Sequence, residues 1–154
     1  MTGLAHTHLL TLTLTVDFAG MLSIGRVPAG LRRIAPVTGG SFAGPRLAGS
    51  VLPGGADWVI NRADGVMLID VRLTLKTDDG ALLYLAYQGR FKAEPEAMAR
   101  FGKGALLAPG EYSLAIAVRL ECGDTRYAWV NDLIIVGTGE QTRSGPIYDL
   151  FAIG

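Results

Sequence analysis

Apolar and polar residues alternate along much of the chain, most clearly over residues 66–77. Side chains of an extended backbone point alternately to its two faces, so this pattern predicts a strand with one apolar and one polar face. The apolar face carries Met67, Ile69, Val71, Leu73 and Leu75. The polar face carries Leu68, Asp70, Arg72, Thr74 and Lys76. In a closed barrel the polar face can point to a lumen that holds a ligand, whereas in an open sheet it can simply meet water. The pattern leaves open which face is inward.

The same two-residue period predicts further extended segments along the chain. They are residues 7–18, 31–35, 41–52, 56–61, 66–77, 81–91, 111–122, 127–136 and 147–153. Because Gly and Pro interrupt or turn strands, we expect irregular structure over the rest of residues 20–40 and a bulge or sheet edge at Gly44 and Pro45. For the same reason we expect a chain reversal at residues 53–55 and a hairpin turn at residues 78–80. Residues 94–101 predict a short helix.

These elements predict an all-β fold, namely an antiparallel β-barrel of about eight strands with one short helix. We favour a closed barrel over an open curved sheet because closure removes exposed strand edges. A length of 154 residues suits one domain. We therefore expect a single barrel domain over residues 1–154.

Composition narrows the range of functions. The formal net charge is zero, which argues against a nucleic-acid partner. Cys122 is the one cysteine, so an intrachain disulfide is excluded and a reducing, cytoplasmic location is expected. The alternation of Leu and Thr in residues 9–18 disfavours a signal peptide and a membrane span, and no membrane partner is expected. His6 and His8 lack a third histidine, and we expect neither a metal nor an organic cofactor.

Short sequence strings spread over nearly the whole chain carry a family resemblance. They are GGSFAGPR at 39–46, VLPGGADW at 51–58, DVR at 70–72, TDDGA at 77–81, GDTRYAWVN at 123–131 and YD at 148–149. Together they resemble the domain-of-unknown-function family 3237, also called uncharacterised protein family 0311. The resemblance implies a single-domain β-barrel in a family without an established general activity.

Asp70 and Arg72 are the first candidates for chemistry, because they lie two residues apart on the polar face of one predicted strand. If that face is inward, Asp70 is a candidate acid or base. Arg72 and Asn131 are then candidates for stabilising an enolate, a carboxylate or another oxyanion. The alternative interpretation is a strand face in contact with water.

Four further residues are candidates for ligand binding. Trp129 shares a strand face with Asn131, which suits an aromatic or carbonyl ligand, and core packing with a hydrogen-bonded amide is the alternative explanation. Trp58 is expected to face inward, with Asp57 on the opposite face capping a turn. Arg46 can reach an anion from a bulged rim or lie on the surface, and Tyr84 can donate a hydrogen bond or serve packing.

The leading hypothesis is a small-molecule-binding barrel that acts on an apolar or aromatic carbonyl or carboxylate compound. If it is an enzyme, we expect an isomerase, cyclase or lyase that uses acid–base chemistry without a cofactor. One alternative is a ligand-binding or carrier barrel without chemistry. Another is a structural module whose outer faces form a homodimer, and a homodimer is expected in either case.

Overall fold

Ten strands form one antiparallel sheet that closes on itself in a computed structural model, which describes residues 2–154. The strands are β1 (His6–Val16), β2 (Leu22–Val27), β3 (Gly30–Ala43), β4 (Ala48–Val51), β5 (Gly55–Asn61), β6 (Met67–Thr77), β7 (Leu82–Ala93), β8 (Tyr112–Cys122), β9 (Ile135–Gln141) and β10 (Pro146–Ile153). An α-helix, α1 (Pro95–Gly102), joins β7 to β8, and a 3₁₀-helix (Pro109–Glu111) precedes β8. A longer 3₁₀-helix (Thr125–Asp132) lies between β8 and β9.

The sheet is an eight-stranded barrel, because two of its eight positions are each filled by two strands. β1 and β2 both pair with β3, and β4 and β5 both lie between β3 and β6. Each of these two pairs fills one position of the ring, and β1 pairs with β10 to close it. The prediction of an antiparallel barrel of about eight strands is therefore confirmed.

β6 turns its apolar face into the barrel. Ile69, Val71, Leu73 and Leu75 are each 5% exposed or less, while Arg72 and the residues after it on the polar face are exposed. An eight-stranded barrel is just wide enough for side chains to fill. Leu10, Leu12, Leu85 and Leu150 from other strands are completely buried in the same core.

The two ends of the barrel are covered differently. At the end that carries α1, here called the α1 end, the ring of Phe91 packs against Phe101 at 4.7 Å and Tyr112 at 5.0 Å between centroids. At the opposite end the longer 3₁₀-helix buries Val130 completely. Arg126 and Tyr127 of that helix contact the carboxylate of Asp79 at 2.9 Å, which ties it to the β6–β7 turn.

Several segments differ from the sequence-based expectations. Residues 20–40 are more regular than expected, because they contain β2 and most of β3. Gly44 begins a hairpin turn, with its N–H donating to the Leu47 carbonyl at 2.9 Å, rather than a bulge. Residues 53–55 do not reverse the chain, since β4 and β5 keep the same two neighbours.

Residues 127–136 do not form a strand, since most of them belong to the longer 3₁₀-helix. Asp124 accepts a hydrogen bond from the Arg126 N–H at 2.9 Å and caps the first turn. Such local side-chain bonds to the backbone compete with strand formation. The strand begins later, at Ile135.

β2 is an edge strand. Within residues 2–154 it pairs with β3 alone, and Leu22 and Ile24 are each 60% exposed. Its register with β3 shifts between Ser23 and Gly25, where Gly25 has a φ of 107°. No helix among residues 2–154 combines the length and apolar character needed to cross a membrane.

Two leucines of β7 test the assignment of faces. Leu85 is completely buried, whereas Leu82 is 55% exposed. We expect Leu85→Ala to lower the free energy of unfolding by about 2–5 kcal/mol, because it removes buried methyl groups and leaves a cavity. Leu82→Ala serves as the matched control and should change it by no more than about 0.5 kcal/mol. Urea unfolding of both variants measures the difference, and equal losses would contradict the assignment.

Candidate functional site

Asp57 faces the interior of the barrel, although it was expected to cap a turn. Residues paired directly across neighbouring strands lie on the same face of a sheet. Asp57 pairs with Val71 of β6 and with Ala35 of β3, and both of these side chains are buried. Trp58, the next residue, therefore lies on the outer wall, and the expectation that it faces inward is wrong.

Arg33 and Asn61 lie on the same inner face. Arg33 pairs with the buried Val59, and Asn61 pairs with Met67, which belongs to the apolar face of β6. The Arg33 guanidinium donates from Nη2 to the Asn61 Oδ1 at 2.5 Å. Its Nε is buried and has no hydrogen-bond partner among the described residues.

Two tyrosines extend this group into the core. Tyr87 pairs with Val71, so it belongs to the same row as Asp57 across three strands. The ring of Tyr87 meets that of Tyr148 edge to face at 5.1 Å, and both residues are almost fully buried. We call Arg33, Asp57, Asn61, Tyr87 and Tyr148 the inner cluster.

The carboxyl group of Asp57 holds its proton unusually tightly. Burial raises the pKa of Asp57 from 3.8 to about 7, and the negative charge of Asp70 adds to the rise. A hydrogen bond from the Asp70 N–H, at 3.0 Å, and the positive charges of Arg32 and Arg33 oppose it. This carboxyl group is therefore present in both protonated and ionised forms near neutral pH.

Both phenols of the inner cluster stay protonated at neutral pH. Burial raises the pKa of Tyr87 well above its usual value of 10.0, and the neighbouring Tyr148 and the charge of Asp57 raise it further. Burial also raises the pKa of Tyr148. The two side chains are thus hydrogen-bond donors beside a titratable carboxyl group.

The residues of the inner cluster differ in how deeply they are buried. Tyr87 and Tyr148 are buried, whereas Arg33, Asp57 and Asn61 are only half-buried. Arg33 and Asn61 lie near the β2–β3 and β5–β6 turns, which belong to the α1 end. The polar groups that a ligand meets first are consequently a guanidinium, a carboxyl group and an amide.

The structure places the sequence-predicted catalytic pair outside the lumen. Asp70 is half-buried and Arg72 is exposed, both on the outer wall. The Arg72 guanidinium lies 5.0 Å from the ring centroid of Trp58. These three residues do come together, but on the opposite side of the sheet from the inner cluster.

The other predicted site residues lie at or near the opposite end of the barrel. Asn131 is used structurally, since its Oδ1 accepts from the Cys122 N–H and its Nδ2 donates to the Cys122 carbonyl, both at 2.9 Å. The Arg46 guanidinium covers the ring of Trp129 at 3.7 Å. Tyr84 lines a cleft of about 490 Å³ on the outer surface, together with Asn131.

The sequence pattern did carry a signal for the inner cluster. Asp57, Val59 and Asn61 share one face of β5 because they are spaced by two. The missing information was the register, because the pairing of Asp57 with the buried Val71 and Ala35 is what shows that this face is inward.

Comparisons with known proteins agree with this fold. The profile of the family described as "Protein of unknown function (DUF3237)" matches residues 5–153. A UPF0311 protein of Rhodopseudomonas palustris is 28% identical over 141 residues, which are 92% of each chain. The solved structure of that protein, described as conserved and of unknown function, has a TM-score of 0.94 and 26% identity, with 100% of both chains covered.

Two other solved structures are similar. A β-barrel-like protein from Acinetobacter baumannii has a TM-score of 0.86 and 32% identity, with 100% of this chain and 98% of that chain covered. An enzyme from Penicillium herquei has a TM-score of 0.74 and 21% identity, with 100% of this chain and 97% of that chain covered. The likeness to the enzyme concerns the fold alone.

The raised pKa of Asp57 predicts a specific dependence of stability on pH. The folded state binds this proton more tightly than the unfolded state, whose pKa is near 3.8. The stability that the proton contributes is thus full below that value and is lost as the pH rises through about 7. Asp57→Asn removes this loss, so the free energy of unfolding of the variant minus that of the wild type should increase with pH. Urea unfolding between about pH 5 and pH 8 measures it, and a pH-independent difference would contradict the assignment.

Asn131 is expected to stabilise the fold rather than act in catalysis. Asn131→Ala removes its hydrogen bonds to Cys122 and to the Ala128 carbonyl. We expect the free energy of unfolding to fall by about 1–2 kcal/mol in thermal or urea unfolding. The exposed neighbour Asp132 offers the control, because Asp132→Ala should cost no more than about 0.5 kcal/mol. Similar losses in both variants would argue against the structural role.

Proposed function

The chain belongs to the DUF3237 family of proteins of unknown function, and we propose that it binds a small molecule at the inner cluster and performs cofactor-independent acid–base chemistry on it. The proposal keeps the chemistry expected from the sequence and moves it to other residues. Asp57 replaces Asp70 as the acid or base, and Arg33 replaces Arg72 and Asn131 as the stabiliser of an oxyanion.

The unpartnered Nε of Arg33 carries the proposal. A buried N–H donor without an acceptor costs about 1–3 kcal/mol, and the Arg33 Nε is such a donor. Asn61 holds the guanidinium from its Nη2 side, which leaves the Nε–H fixed and free. A carbonyl or carboxylate oxygen of a ligand is the acceptor that best fits this position.

Asp57 supplies the proton transfer. A general acid or base works best when its pKa lies near the operating pH, and the pKa of Asp57 is raised to about 7. Its ionised form can accept a proton from a carbon atom next to a carbonyl group. The electron pair of the broken C–H bond then moves to the carbonyl oxygen, where Arg33 stabilises the negative charge.

The fate of the proton decides the reaction type. When Asp57 returns it to a different carbon atom of the same ligand, the net reaction is an isomerisation. When the enolate instead attacks an electrophilic group of the ligand or expels a leaving group, Asp57 gives the proton to the atom that receives the electron pair of the broken bond, and the result is a cyclisation or a lyase reaction. The neutral phenols of Tyr87 and Tyr148 can donate hydrogen bonds to the buried end of a ligand, and the apolar core residues around them favour an aromatic or apolar ligand.

A carrier barrel without chemistry is the second candidate, and the same Arg33 atom favours it, since an anion can bind there without reacting. The homodimer, the lack of nucleic-acid and membrane partners and the cytoplasmic location stay predictions from the sequence.

Exchange of carbon-bound protons tests the proposal directly. Phenylpyruvate joins an aromatic ring, a ketone and a carboxylate, and loss of its C3 proton signal in D₂O can be followed by ¹H NMR. We expect the protein to accelerate this exchange over buffer. Asp57→Asn should reduce the acceleration by about 100-fold, because the base is lost. Arg33→Gln should weaken binding of the same probe in native mass spectrometry.

The exposed Asp132 provides the charge-matched control, since Asp132→Asn should accelerate the C3 proton exchange of phenylpyruvate as much as the wild type does. Binding that depends on Arg33 without any acceleration would favour the carrier barrel and overturn the catalytic proposal. Loss of exchange in Asp70→Asn but not in Asp57→Asn would return the role to Asp70. Absence of both binding and exchange would contradict both candidate functions.

A further inference from the structure

A second group of polar and apolar side chains lies close together on the outer wall, across the sheet from the inner cluster. The registers of β3, β5, β6 and β7 align four outward side chains in one row, namely Arg32, Ile60, Leu68 and Arg90. Two apolar side chains are thus flanked by a guanidinium on each side. Ile60 is only 6% exposed despite facing outward, so the neighbouring side chains cover it.

The adjacent row adds an aromatic ring and two polar groups. Trp58 precedes Ile60 by two residues on the same face of β5, and Asp70 pairs with Gln88. The two rows enclose a groove of about 210 Å³. Drug-sized pockets span about 300–1,000 Å³, so this groove suits a ligand of one or two rings.

The two arginines of the row are held by backbone carbonyls and form no salt bridge within residues 2–154. Arg32 donates from Nη1 to the Trp58 carbonyl at 2.6 Å, and Arg90 donates from Nη1 to the Gly89 carbonyl at 3.0 Å. A guanidinium has five N–H donors, so both retain free ones. Within residues 2–154, the salt bridges involve other basic residues, and neither arginine of the row nor Arg72 takes part.

We propose that this groove is a binding site for a planar aromatic carboxylate, separate from the inner cluster. The ring of the ligand lies on Ile60 and Leu68 beside Trp58, where it gains apolar and aromatic contacts. Its carboxylate pairs with Arg90 or Arg32 through two parallel N–H···O bonds. Asp70 repels an anion, which directs the carboxylate toward the ends of the row rather than its middle.

The indole N–H signals of a ¹⁵N-labelled protein provide the test, because the chain has two tryptophans. The probe is 2-naphthoate, and its neutral analogue 2-naphthamide has the same rings. We expect 2-naphthoate to shift the Trp58 signal saturably, with the Trp129 signal unchanged, and 2-naphthamide to bind about tenfold more weakly because it lacks the charge. Trp58→Phe identifies the signal.

Variants locate the contact. Arg90→Gln should weaken 2-naphthoate binding about fivefold to tenfold, whereas Arg119→Gln, an exposed arginine on β8, should leave it unchanged. Asp57→Asn should weaken it less than Arg90→Gln does, because Asp57 lies on the inner face and acts on the groove only through the Asp70 N–H and the charge of Arg32. The proposal is overturned by a Trp58 signal that does not shift saturably or by equal affinity for the two probes. It is also overturned by binding that Asp57→Asn abolishes and Arg90→Gln does not affect.

Discussion

The pairing of β1 with β10 closes the sheet, and this closure decides what every strand residue of the barrel can do. Once the ring is closed, one face of each strand is inside and the other is outside, and a shift of one residue in register exchanges them. Leu12 of β1 pairs with Tyr148 of β10, so closure also brings the deepest phenol into the interior. Both polar regions of the molecule follow from this constraint, since they occupy opposite faces of β5.

Placing the carboxyl group of Asp57 inside the barrel costs free energy when it is ionised, and its surroundings decide at which pH it ionises. A buried carboxylate without partners is strongly unfavourable, so the group keeps its proton to a higher pH. The Asp70 N–H and the positive charges of Arg32 and Arg33 stabilise its ionised form and keep the pKa near neutrality rather than far above it. The result is a carboxyl group that can exchange its proton near neutral pH, at the border between the polar inner cluster and the apolar core.

The fold could be predicted well from the sequence, because hydrophobic periodicity and turn residues are local signals. Alternation locates β6, β7, β8 and β10, while Pro95 in the first turn, the helix-forming residues after it and Gly102 as a stop predict the short helix after β7. It fails at the 3₁₀-helix of residues 125–132, where side-chain bonds from Asp124 and Asn131 outweigh the strand-forming tendency of aromatic residues.

The candidate site could be predicted only in its type of chemistry. The sequence predicts an acid near an arginine and an amide. It points to Asp70 and Arg72, which lie two residues apart on one polar strand face, but that face is on the outside of the barrel. The inner cluster combines residues of different strands, namely Arg33 of β3 with Asp57 and Asn61 of β5. Because pairing between strands joins residues far apart in the sequence, local patterns do not reveal this arrangement. The edge of β2 has its own consequence. An apolar strand with a free edge can template a further strand and seed aggregation, yet the glycine bulge at Gly25 breaks the regular spacing of its N–H and C=O groups, which protects the molecule from strand-to-strand polymerisation.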